Sequence, residues 1–124
     1  MKYEHAPDLQ LLTEKIASRL FAYVDLKRVK CFRSYGSSSK NTIARCHTIG
    51  KLMQQTIGVR AHYGIEFISK QFDRLSEDEK IKVIIHELMH IPKAFGGGFR
   101  HHDWVCEENV NKLFVSYKKT KEDV

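Results

Sequence analysis

The sequence predicts an α+β fold, and three observations carry that prediction. Apolar residues recur at helical spacing near the N-terminus. Segments rich in β-branched and aromatic residues occupy the middle of the chain. Two further helical patterns, separated by Pro92 and the triplet Gly96-Gly97-Gly98, close it.

Taken in order, Asp8 follows Pro7 and can cap a first helix, after which Leu9, Leu12, Ile16, Leu20 and Tyr23 mark one face; the helix is expected over Asp8 to Val24. "KRVKCFRS" and "NTIARCHTI" read as two strands flanking the loop "SYGSSSKN", and are expected to pair as a hairpin. "KLMQQTIG" fits a helical turn or a connection equally well. "AHYGIEFIS" reads as a third strand. In "LSEDEKIKVIIHELMHIP", Ser76 and Glu79 form a capping box, and Ile81, Ile84, Ile85 and Leu88 mark a buried face. Pro92 makes Ile91 the expected helix end, and the glycines then let the chain turn. Asp103 is a candidate cap for a last helix with Val105 or Cys106, Val110, Leu113, Phe114 and Tyr117 on its apolar face, ending in a frayed "KKTKEDV".

Composition narrows the function classes. A chain of 124 residues suggests one domain, 1–124, able to build a core without disulfides. Cys31, Cys46 and Cys106 are odd in number and hold no C-x-x-C, which argues against both a disulfide framework and a zinc ribbon. No apolar run reaches the roughly 18 residues of a membrane span, and "MKYEHAPDLQLLTEK" lacks the pattern of a secretory signal, so the expected location is cytoplasmic. The formal charge of +6 leaves room for an acidic partner such as nucleic acid.

The chemistry is concentrated in "VIIHELMHIPKAFGGGFRHHD", which holds four of the seven histidines. His86 and His90 are four residues apart on the expected helix, so both imidazoles leave nearly the same face about one turn apart and can converge on one ion. Glu87 sits beside them. This is H-E-x-x-H: zinc lowers the pKa of its water and polarises a carbonyl, while the glutamate takes the water's proton and passes it to the leaving amine. A catalytic zinc usually has a third protein ligand. His102 lies twelve residues beyond His90, past the glycines, and is favoured at the mouth of the last helix; spacing leaves His101 as the alternative. Plainer readings are an amphipathic helix with a solvated His-His turn, or a zinc-binding domain without catalysis. Glu66 could line the cleft, "YGIEFIS" or a neighbouring strand could be the edge strand that takes substrate by strand addition beside the metal helix, and Tyr35, Tyr63 and Tyr117 are all conceivable oxyanion donors.

"FDRLSEDEKIKVIIHELMHIPKAFGGGFRHHDW", with "VKCFRSYGSSSKNTIARCH" and "YGIEFISKQFDRLS" upstream, resembles a family of small metallopeptidases of archaea and phages, over roughly residues 8–117. More distantly the chain is similar to SprT-like and Spartan proteases. It departs from the metzincin pattern, whose third histidine falls where Gly96 stands, and it lacks the H-G-x-L-H of a zinc-dependent RNA-processing family. The resemblance implies a zincin-like fold, a mixed or antiparallel sheet packed against an N-terminal helix and the H-E-x-x-H helix. It implies His86 and His90 as ligands, one of His101 and His102 as the third, and Glu87 as base.

The expected activity is therefore that of a zinc metallopeptidase, a hydrolase holding one Zn²⁺ through His86, His90 and His102 and acting on protein or peptide. The alternative is a basic, nucleic-acid-associated SprT-like module or a non-catalytic zinc-binding domain.

Overall fold

The computed structural model describes residues 1–101 and 103–122, with side chains through Lys119. The fold is α+β. Its elements are β1 (Lys2–His5), α1 (Pro7–Leu20), a 3₁₀ turn (Leu26–Arg28), β2 (Val29–Tyr35), β3 (Ala44–Thr48), α2 (Lys51–Ile57), β4 (Tyr63–Ile68), α3 (Ser69–Phe72), α4 (Glu77–Met89) and α5 (Glu107–Glu122).

The strands form one mixed sheet in the order β1-β2-β4-β3. β1 runs antiparallel to β2, β4 parallel to β2, and β3 antiparallel to β4. The expected hairpin of β2 with β3 does not form, because β4 lies between them. Burial explains the order. In β4 every residue except Gly64 is buried, whereas β3 is half-buried or exposed throughout and all four residues of β1 are exposed. The strand buried along its length takes an interior place, and the more exposed β1 and β3 take the edges.

α1 begins at Pro7, whose fixed φ suits a first helical position, with Ala6 as the cap residue. Asp8 does not cap, and the helix stops at Leu20 rather than Val24. Arg33 instead takes the Asp8 carboxylate in two bonds of 2.8 and 2.9 Å, and also holds Asp73 just after α3 at 3.0 Å. The hydrogen bond from Arg33 holds Asp8 below its ordinary pKa. At Asp73 burial pulls upward, but bonds from Arg33 and Ser69 outweigh it. Folded-state pKa values below the unfolded ones mean stability that is present above about pH 4 and lost as pH falls through the folded values. Arg33→Ala should therefore cost about 1 kcal/mol at neutral pH. Urea denaturation at a series of pH values should show the difference from wild type vanish in acid; a gap that persists there would assign the cost to packing instead.

The capping box is present at α4: Ser76 Oγ accepts from the Glu79 N–H at 3.2 Å, and the Glu79 carboxylate accepts from the Ser76 N–H. Ile81, Ile84, Ile85 and Leu88 are all buried, packed with Ile16 and Ala17 of α1 and with Val29, Cys31, Ile65 and Phe67 of the sheet. Each large side chain so buried contributes roughly 1.5–3 kcal/mol. α4 ends at Met89, two residues short of the expected Ile91, but the cap residue His90 keeps helical dihedrals of −68° and −21°. α5 starts at Glu107, so Asp103 precedes it in a turn and does not cap it. The helix continues to Glu122 through most of the segment expected to fray. No described helix is long and apolar enough to cross a membrane.

Candidate active site

α4 points its last turn at a cleft of about 380 Å³ lined by Ala44, Arg45 and Cys46 of β3, His86, Glu87 and His90 of α4, and Phe99, Arg100 and His101 of the returning loop. The His86 and His90 rings are 5.2 Å apart at their centroids and inclined by 72°. Four-residue spacing on a helix that keeps its geometry through the cap brings both imidazoles to one side.

The orientation of His90 follows from its partner. Nδ1 lies 3.0 Å from the Arg100 carbonyl oxygen. A carbonyl only accepts, so Nδ1 carries the proton, and in the neutral ring Nε2 keeps its lone pair. The Arg100 N–H donates in return to the His90 carbonyl at 2.7 Å. This two-way clasp closes the loop of residues 91–99 and sets His101 at the cleft.

The loop is pinned along its length. Tyr63 Oη donates to the Gly98 carbonyl at 2.8 Å and accepts from the Gly97 N–H at 3.0 Å. Gln54 Nε2, on α2, donates to the carbonyls of Ile49 at 2.8 Å and Gly96 at 3.0 Å. Tyr23 Oη donates to the Ile91 carbonyl at 2.9 Å. Gly97 carries the positive φ of the glycine triplet, +98°. "KLMQQTIG" is thus a helix whose Gln54 serves this loop, a role without a sequence signal.

Glu87 is buried to 6% exposure, and burial pushes its carboxyl up to about 7. Cys46 lines the same cleft. Burial first, then the Glu87 charge, push its thiol up to about 12, so it stays protonated at neutral pH and is no nucleophile. Cys31 is buried in the core and Cys106 is half-buried, both as free thiols.

Beyond His86 and Glu87 the cleft opens into a second pocket of about 650 Å³, walled by Ile43, Val83 and Val110 with Lys82, Glu107 and Asn111 at its margin. The remaining expectations divide. Glu66 does not line the cleft; alternation along β4 puts it on the opposite face of the sheet, in a separate pocket with Tyr3, Phe32 and His47. "YGIEFIS" is interior, and the edge strand beside α4 is β3. Among the described residues, none of Tyr35, Tyr63 and Tyr117 lines the cleft. Arg100 does, and so does Arg45, whose guanidinium however turns to Glu66 on the opposite face, 3.7 Å away; nothing in their spacing announced it.

Among the described residues no three His, Cys, Asp or Glu side chains come together closely enough to hold a metal ion. His102, the favoured third ligand, lies outside the described residues. The donors that are described suit a borderline cation: two adjacent imidazoles, one with its second nitrogen tied to a carbonyl, as ligating histidines usually are.

No curated protein and no solved structure matches the chain. The model of a family described as "Putative phage metallopeptidase" matches residues 1–122, so nearly the whole length is covered, and the chain belongs to that family.

Proposed function

We propose that the chain is a zinc-dependent peptidase of zincin-like plan, working in the cytoplasm. His86 and His90 hold the metal together with His102 or His101, and Glu87 moves the proton. The observation that carries this reading is that His86, Glu87, His90 and His101 line one cleft, with edge strand β3 as its opposite wall.

When bound, the cation supplies a Lewis acid that acidifies water and polarises a scissile carbonyl. The chain does the rest. β3 pairs with one strand of the sheet, so its outer backbone groups can take an extended peptide as a further strand. Ile43, Val83 and Val110 favour an apolar side chain next to the bond that is cut. Glu87, buried beside both ligands, accepts the water's proton and returns it to the leaving amine. Arg100, which lines the cleft, is the cation placed to meet the charge that grows on the carbonyl oxygen.

Elemental analysis of the purified protein should find about one zinc per chain, and the double variant His86→Ala, His90→Ala should lose it. A peptide-library digest should show metal-dependent cleavage next to apolar residues. Cleavage by metal-stripped protein, or no zinc uptake from micromolar solution, would overturn the reading.

A further inference from the structure

The sheet has a second face. α1 and α4 pack on one side, against β2 and β3. Alternation and register place Tyr3 and His5 of β1, Lys30 and Phe32 of β2, and Arg45 and His47 of β3 on the other. His5 pairs with Phe32, Phe32 with Glu66 and Glu66 with Arg45, so these residues form one row across all four strands. Lys30, Gly64 and His47 form a second row.

Tyr3 is 55% exposed, His5, Lys30 and His47 are exposed, and the His5 and Phe32 rings stack with centroids 4.4 Å apart. Between Tyr3, Phe32 and His47 lies a pocket of about 400 Å³, floored by Gly64 and Glu66. A Cβ at Gly64 would meet open space, so the missing side chain leaves the floor clear. Glu66 is the one carboxylate of the pocket. It is buried, with one oxygen 2.8 Å from His47 Nε2 and the other 3.7 Å from Arg45. It offsets one of the two full positive charges that Lys30 and Arg45 bring to the face, so Lys30 carries most of the attraction for a phosphate.

We propose that this face binds a single strand of nucleic acid. One base enters the pocket against Phe32, between Tyr3 and His47, while Lys30 and Arg45 meet phosphates. Ring faces and cations on an open sheet suit an unpaired strand, because a duplex keeps its base faces stacked on one another. The chain's net charge of +6 favours the same partner. The face lies across the sheet from Glu87, so the proposal stands apart from the peptidase reading.

The test is fluorescence anisotropy with a labelled oligothymidylate. Wild type should bind with a Kd of about 10 μM at about 50 mM salt. Two phosphate contacts should weaken binding roughly seven-fold when salt rises four-fold. Tyr3→Ala and Gly64→Leu, one removing a ring and the other filling the slot, should each weaken it roughly ten-fold. Lys30→Glu should do so too, while Lys15→Glu, the same charge change at an exposed position of α1, should shift it about two-fold or less. Tyr3 and Lys30 are exposed, so circular dichroism should be unchanged in those variants. No anisotropy change up to about 100 μM protein would overturn the proposal. So would tighter binding to a duplex of the same length, or equal losses in Lys30→Glu and Lys15→Glu.

Discussion

Glu87→Gln should leave a folded protein that still takes up zinc and cleaves peptide roughly a hundred- to ten-thousand-fold more slowly. The substitution keeps the shape of the side chain and removes only its capacity to hold a proton at the carboxylate. Glu87 is 6% exposed and walled by the cleft, so glutamine of the same length should occupy the same space. It should not destabilise the protein, because the carboxylate is a buried charge that folding must desolvate, and the amide is not. The proposed ligands, His86 and His90, are untouched. The contrast with His86→Ala, His90→Ala is the informative part: that variant should lose metal and activity together, whereas Glu87→Gln should separate them. The measurements are zinc content by elemental analysis and kcat/KM on a peptide found in the library digest. Glu87→Gln retaining more than about a tenth of wild-type kcat/KM would remove the proton-transfer role and favour a cleft that merely holds an ion.

How far the sequence anticipates this molecule depends on how local each feature is. The capping box at Ser76 and Glu79, the buried stripe of Ile81, Ile84, Ile85 and Leu88, and the shared side of His86 and His90 all arise within one helix. Periodicity and backbone hydrogen bonding decide them, and they stand in the structure as expected. Strand existence was also legible for β2, β3 and β4, since their β-branched and aromatic residues are dense. Pairing was not. Two strands separated by a short polar loop read as a hairpin, but the insertion of β4 between β2 and β3 is decided by which strand is buried along its length. β1 escaped notice because "KYEH" has no apolar alternation; it is a strand by virtue of its backbone bonds to β2. Asp8 looks like a cap in sequence and becomes the partner of Arg33, 25 residues away.

The site shows the same division. The pair His86 and His90, with Glu87, comes from a local motif. The clasp between His90 and Arg100, the Tyr63 hydroxyl under Gly97 and Gly98, and Gln54 under Gly96 are contacts across 10, 34, 35 and 42 residues. No spacing rule encodes them. The misassignment of Glu66 to the cleft is instructive: a strand shows which residues share a face, but the sequence alone does not say which face meets the helix.

The glycine triplet can be resolved position by position. Gly97→Val should cost about 2–4 kcal/mol of unfolding free energy and at least about ten-fold in zinc affinity, whereas Gly98→Ala should change either little. At Gly97 φ is +98°, a backbone region that a β-branched side chain resists. A Cβ there would also stand 2.6 Å from the Ile49 carbonyl oxygen and collide with Gln54 Nε2. Gln54 can swing aside, but only by giving up its bonds to Ile49 and Gly96; the Ile49 carbonyl is backbone and cannot. The loop must therefore shift, and what it carries shifts with it: the Tyr63 anchor, the Arg100 carbonyl that orients the His90 ring, and His101 at the cleft. Gly98 has open space at its Cβ position and no positive φ, so alanine fits. Urea denaturation of the metal-free proteins and a zinc titration of each would measure both effects. A Gly97→Val protein matching wild type in stability and zinc affinity would show that the loop does not position the proposed ligands.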